Sequence, residues 1–401
     1  MSAAAQKDYL LTPYRVLDLA GESGLMCGKL LGDLGAEVII VEPPGGHPAR
    51  GLGPFYKDEI HPEKSLFWFA FNTSKKGITL DLTRAAGQQL LKELVRQCDI
   101  VIESFAPGYL DALGLGYAEL SAVRPDLVFT SITPFGQKGP RRDWKGTDLT
   151  LQARCGLQYL LGDPDRPPVR ISVPMTAVKA GVEAANATLF ALFHRNTSGE
   201  GQHVDVSIQE CIAAILEMNF MHYSYGGRET SRLGRRSIFP WCMLDCQDGK
   251  IFVINVEEDQ WQRLVELMGN PEWASLEIFK DRVTRGQNYD ALFPLLQEWA
   301  ANWKVADLYK AAQERRICFA PVNTMADLFA SAHLKAREFF TRIGHQVAGT
   351  LTYPGAPFKA SEAGWAIQRP APLLGQHSAE VYGRLGLSQA ELESLQQQGV
   401  I

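Results

Sequence analysis

Short apolar runs alternate with apolar-periodic stretches along the first 150 residues of the chain. Arg15–Leu19 (RVLDL) predicts a strand. Gly21 to Leu34 predicts a glycine-punctuated helix start followed by an apolar-periodic helix. Glu37 to Val41 (EVIIV) predicts the next strand, ending at Glu42-Pro43. Strand, helix and strand in so short a span make a βαβ unit, which requires parallel pairing. The alternation continues with an extended stretch over Ile78 to Leu82, a helix over Ala85 to Arg96, and a buried strand over Ile100 to Glu103. A helix over Ala118 to Val123 and a strand over Leu127 to Ile132 follow, closed by Gly139-Pro140. Beyond them lie a small-residue helix (Ala177 to His194), a strand (His203 to Ser207) and a further helix (Ile208 to Tyr223). The pattern predicts an α/β fold with an open parallel sheet.

The texture changes near Gly226. A basic, glycine-bearing loop over Arg228 to Arg236 leads to the Asp248-Gly249 turn, a strand over Ile251 to Val256 and helices through Arg316. After Pro321 the chain returns to short strands and proline-bearing loops, and it ends in a helix-turn pattern over Ala379 to Gln398. A chain of 401 residues is too long for one core, so two domains are expected. The shift in pattern assigns 1–225 and 330–401 to a large domain and 226–329 to a smaller, inserted α+β domain.

Composition narrows the function classes. Hydrophobic residues at 46% and charged residues at 21% exclude disorder as the main state. A net charge of -5 gives no electrostatic reason to expect a nucleic acid or an anionic membrane as partner. No apolar run reaches the ~18 residues of a membrane span, and Met1 to Pro13 does not read as a secretory signal. Seven singly spaced cysteines do not form a disulfide framework, so the expected compartment is the cytoplasm.

The short motifs carry little chemistry alone. Gly21, Gly24 and Gly28 follow the first strand, and Glu42 ends the second. The acid suits a dinucleotide site, but the glycine spacing departs from G-x-G-x-x-G. The other reading is that these glycines let the helix approach the sheet. The eight histidines show no ligand spacing, and Cys242 and Cys246 have no second pair at zinc spacing, so no metal is expected. No G-x-S-x-G is present to mark a serine hydrolase.

Longer segments are more specific. VLDLAGESGLMCGKLLGDLGAEVIIVEPPGG (16–46), KKGITLDL (75–82), DIVIESFAPGYLDALGLGYAEL (99–120), PDLVFTSITPFGQKGP (125–140), GTDLTLQARCGL (146–157), SGEGQHVDVSIQE (198–210), APVNTMADL (320–328), PGAPFKASEA (354–363) and RPAPLLGQHSAEVYGRLG (369–386) span the chain in order. Together they resemble the class III CoA-transferases, the family of formyl-CoA transferases, carnitine CoA-transferases and 2-methylacyl-CoA racemases. The resemblance implies a Rossmann-like large domain that cradles CoA, an inserted small domain and an interlocked dimer. It implies a coenzyme A thioester as substrate and no covalently bound cofactor. Arg50, Asn72, Leu80, Ser104, Phe105 and Lys138 are the implied CoA contacts.

It also implies a nucleophilic aspartate, which would form an anhydride with the acyl group and then a thioester with CoA. Counting four positions back from Gly181 places that role on Ala177. No Asp or Glu lies between Arg166 and Val182, so no slip of register supplies one. The racemase pair fails too, because Thr147 stands before Asp148 where that branch has histidine. Cations are also missing: positions that often carry Arg or Lys hold Pro43, Ala106 and Ala112. Arg141, Arg142, Arg235 and Arg236 could replace them, or could be solvated surface charge.

The leading expectation is a subunit without the nucleophile, with no catalytic residue of its own, working beside a paralogous subunit that carries the aspartate. The family contains such unequal pairs, benzylsuccinate CoA-transferases among them. Succinyl-CoA as donor and benzylsuccinate as the small carboxylic acid acceptor are the specific expectation. Two alternatives remain: an active homodimeric transferase or lyase using Glu183, Asp148 or Glu22, and a non-enzymatic CoA-binding protein.

Overall fold

A computed structural model of the chain describes residues 9–232 and 238–401. The basic pair Arg235 and Arg236 falls outside these residues. The chain forms two compact units. One comprises Met1–Gln158, Arg170–Met221 and Ala336–Ile401, and the other Tyr159–Val169 and His222–Lys335.

The first unit is built on a six-stranded sheet: β1 (Arg15–Leu19), β2 (Glu37–Glu42), β3 (Lys75–Thr79), β4 (Ile100–Glu103), β5 (Val128–Thr133) and β6 (Gln202–Ser207). The strands lie in the order β3-β2-β1-β4-β5-β6, and every pairing is parallel. This is the Rossmann order, in which the direction of winding reverses between β1 and β4. Both faces of the central strands are covered, so their runs are apolar without alternation: Val16, Leu17, Ile100, Val101 and Ile102 are all buried.

Successive strand residues feed opposite faces. On one face Leu17, Ile39, Val101 and Phe129 meet Leu91, Leu94 and Val95 of a helix over Ala85–Arg96, with Val381, Tyr382 and Ile401 from the end of the chain. On the other face Val16, Val38, Ile100 and Val128 meet α1 (Leu25–Asp33) and the helix over Met175–Ser198. That long helix presents Ala180, Ala184, Ala185 and Ala191 to the sheet. Two glycines set the approach. A Cβ on Gly28 would lie 2.1 Å from Asp18 Oδ2, and one on Gly181 would lie 2.6 Å from the Met26 Cβ. The glycines after the first strand thus serve close packing of α1.

The returning C-terminal segment covers the β3 edge, which would otherwise expose unpaired backbone. The Gly77 N–H donates to His377 Nδ1 at 3.0 Å, and the Tyr382 hydroxyl donates to the Thr79 carbonyl at 2.6 Å. Beta3 itself begins three residues earlier than expected. Lys75 and Lys76 lie before the expected stretch, and both are buried in ion pairs: Lys75 with Asp18, and Lys76 with Glu37 and Glu380. The expected single helix over Ile208 to Tyr223 is instead broken into Ile208–Ala213, a 3-10 turn and Glu217–Gly226.

The second unit carries an antiparallel three-stranded sheet of Trp241–Asp245, Lys250–Ile254 and Cys318–Pro321. Its core gathers Phe239, Ile251, Val253, Trp261, Leu292, Leu296 and Phe319. Among the described residues no helix is long and apolar enough to cross a membrane.

Candidate functional site

In open α/β sheets, ligands bind in the crevice beyond the carboxyl ends of the strands, where the winding reverses. A cavity of about 390 Å³ lies at this place. Leu19 and Gly21 at the end of β1, Val41 and Pro43 at the end of β2, Leu80 after β3, and Ser104 and Phe105 after β4 all line it. Of the six expected contacts, Leu80, Ser104 and Phe105 meet here. The Ser104 hydroxyl accepts the Gly21 N–H at 2.7 Å, tying the β1 and β4 loops together. Phe105 stacks on Tyr109, with ring centroids 4.9 Å apart.

Arg50 and Asn72 face the interior. Arg50 is 2% exposed. Its Nε and Nη2 donate to Glu42 at 2.6 and 2.8 Å, Nη1 donates to Glu63 at 2.8 Å, and Nη2 also reaches the Pro372 carbonyl at 3.0 Å. The guanidinium lies 4.0 Å from the centroid of the Trp68 ring. Asn72 accepts from Lys75 Nζ at 3.0 Å and donates to the Trp68 carbonyl at 3.2 Å. Both side chains hold loops in place.

His47, which the sequence reading did not single out, lines the cavity. Its Nδ1 accepts the Ala49 N–H at 3.0 Å, and its Nε2 lies 3.2 Å from the Ala20 carbonyl, so Nε2 carries the proton. Burial pushes its pKa down to about 4. The neutral ring joins the loop after β2 to the loop after β1. Beneath it lies the buried pair of Asp18 and Lys75, 2.7 Å apart with both side chains at 0% exposure. Burial lowers the Lys75 pKa, and Asp18 opposes that fall. No motif marks this pair; only the isolated polar residues inside apolar strands hint at it.

Lys138 lies elsewhere. It lines a second cavity of about 270 Å³ with Glu103, Ser131, Arg142 and His203. Ser131 Oγ is 2.9 Å from His203 Nε2. Burial raises the Glu103 pKa to about 7, while Ser131 and the Phe105 N–H work against that rise.

Ala177 stands in the first turn of the long helix, which begins at Met175. Gly181, about one turn further on, meets Met26 at the start of α1. The same loop-to-α1 segment supplies Gly21 and Glu22 to the cavity at the strand ends. Of the alternative carboxylates, Asp148 accepts from Thr176 N and Oγ1 at 2.9 and 2.8 Å and from Gln152 Nε2 at 2.7 Å. Both its oxygens are engaged. Glu183 pairs with Lys179 one turn away. Glu22 alone of the three lines the cavity. Among the described residues no group of three or more His, Cys, Asp or Glu side chains could hold a metal ion.

A family model described as CoA-transferase family III matches residues 11–378. The chain belongs to this family. It is 33% identical over 399 residues to the succinyl-CoA:(R)-benzylsuccinate CoA-transferase subunit BbsE of Thauera aromatica, covering 97% of each chain. It is 35% identical over 398 residues to a succinyl-CoA–D-citramalate CoA-transferase of Chloroflexus aurantiacus, covering 98% of each. A crystal structure of a CAIB/BAIF family protein from Brucella suis superposes with a TM-score of 0.86 at 33% identity, covering 94% of this chain and 100% of that one. The Rossmann-like sheet with an additional antiparallel sheet is therefore the architecture of a class III CoA-transferase chain.

Proposed function

We propose that this chain is the subunit without the nucleophile in a heteromeric class III CoA-transferase, moving CoA from a CoA thioester to a small carboxylic acid. Ala177 carries the reading. Anhydride and thioester intermediates need a side-chain carboxylate, and a methyl group forms neither. The large domain expected over 1–225 and 330–401 cradles the CoA thioester at the ends of β1 to β4, through Leu80, Ser104 and Phe105. A paralogous subunit, interlocked with this one, supplies the aspartate. Succinyl-CoA as donor and benzylsuccinate as acceptor are favoured by the names of the relatives, one of which is itself a subunit.

The test is transfer from succinyl-CoA to benzylsuccinate by the pure chain, before and after Ala177→Asp. The unaltered chain is expected to show no turnover and the variant a trace. An acid fits the first helical turn, where the macrodipole favours it by roughly 0.3–1 kcal/mol. Robust turnover by the unaltered chain would sink the reading. One observation favours a second reading: Glu22 lines the cavity. Were Glu22 the nucleophile, acyl-CoA with hydroxylamine would leave a hydroxamate at Glu22, seen by mass spectrometry.

A further inference from the structure

The opposite end of the parallel sheet carries charge that the strand-end cavity does not use. There β1, β2 and β3 begin, at Arg15, Glu37 and Lys75. A cavity of about 540 Å³ lies at this end, lined by Arg15, Glu37, Lys76, Arg369 and Arg384 among others. Strands of five and six residues separate it by roughly 15–20 Å from the cavity at their carboxyl ends. In a chain of net charge -5 its lining is cationic. Four of the lining residues named are cations, and Glu37 is the acid.

Three of the cations have partners. Arg15 Nε lies 3.1 Å from Glu37 and Arg384 Nη1 lies 2.7 Å from it, and Lys76 pairs with it too. Glu380, outside the lining, pairs with Lys76 at 2.6 Å and with Arg384. Burial works to raise the Glu37 pKa, but the bonds from Lys76 and Arg384 hold it at about 2. Arg369 differs. Among the described residues its half-buried side chain has no hydrogen bond or ion pair. Its backbone is nevertheless fixed. The Arg369 carbonyl accepts the Ser74 N–H at 3.0 Å, and the preceding Gln368 N–H donates to Ser74 Oγ at 3.1 Å. The Gln368 side chain also donates to the Gly32 carbonyl at 2.9 Å. Ion pairing within the fold thus accounts for Arg15, Lys76 and Arg384, and leaves a guanidinium placed on the cavity wall without a carboxylate.

We propose that this cavity binds a small dianionic oxyanion, a dicarboxylate or a phosphate group, with Arg369 as the principal contact and Arg15 and Arg384 beside it. Four cations against two carboxylates leave two positive charges, which such a ligand neutralises. Guanidinium groups meet carboxylate and phosphate oxygens with paired, charge-assisted bonds. The site is independent of what the strand-end cavity holds.

The experiment is calorimetric titration of the full chain with inorganic phosphate and, separately, with succinate, in low-salt buffer containing neither. One anion per chain is expected to bind, more weakly as sodium chloride is added. Tighter succinate would identify a dicarboxylate site and tighter phosphate a phosphate site. Arg369→Gln should weaken binding roughly tenfold or more, and Arg369→Glu should abolish it. Since the Arg369 side chain has no partner to lose, both variants should unfold at the same temperature as the unaltered chain. Binding of neither anion would overturn the proposal. So would binding that both variants retain at full strength, because the anion would then lie elsewhere.

Discussion

The side chains that shape the site are mostly held by charge buried behind it. Asp18 and Lys75 have no exposed side-chain surface. Lys75 also donates to the Leu25 carbonyl at 2.9 Å, which fixes the start of α1 against β3. Removing one partner strands the other charge in a dry interior. Lys75→Met is expected to lower stability by about 3–5 kcal/mol, read as the shift in urea midpoint. Adding Asp18→Asn should recover part of the loss. Glu103 supplies a pH test. An unfolded glutamate releases its proton near about 4.3, but the buried carboxyl of Glu103 keeps it to about 7. The folded state thus binds the extra proton. Its stabilising contribution is complete below the unfolded value and is lost as pH rises through 7. Glu103→Gln should remove this dependence, and its stability relative to the unaltered chain should improve by on the order of 3–4 kcal/mol between acid and alkaline solution. Urea unfolding at several pH values checks it; a parallel pair of curves would contradict it. At this scale the sequence was half legible. Leu80, Ser104 and Phe105 reach the cavity, but nothing local announces that Arg50 turns inward. Its partner Pro372 lies hundreds of residues away along the chain.

Among elements, legibility followed apolar pattern. The strand over Arg15–Leu19, the helix over Ala85–Arg96 and the strand over Ile100–Glu103 stand where their apolar positions put them. The strand β3 starts before the expected stretch because its first two residues are lysines, whose burial comes from distant carboxylates. The helix over Glu217–Gly226 shows the other failure. It buries no residue, while Met218, Phe220, Met221, Tyr223 and Tyr225 are all exposed. The long helix likewise exposes Phe190 at 74% and Phe193 at 72%, three positions apart on one face. An apolar helix surface of this kind is stable in water when another chain covers it. Replacing Phe190 and Phe193 together by Glu is therefore expected to lower the mass of the assembly in light scattering, with the far-ultraviolet dichroism kept. An unchanged assembly mass would contradict this.

For the whole molecule, the repeated strand-helix alternation made the parallel α/β class legible. The strand order was not, because sequence order does not say which strands are neighbours; the reversal between β1 and β4 emerges only from pairing. That reversal places the cavity. The most direct test of a subunit lacking its nucleophile is to purify the chain from its source at native expression and weigh what elutes with it, assaying succinyl-CoA-dependent transfer in the same fractions. The account predicts a stoichiometric paralogue with an aspartate at the position of Ala177, and activity only where both chains are present. A homogeneous assembly of this chain alone that turns over would contradict it.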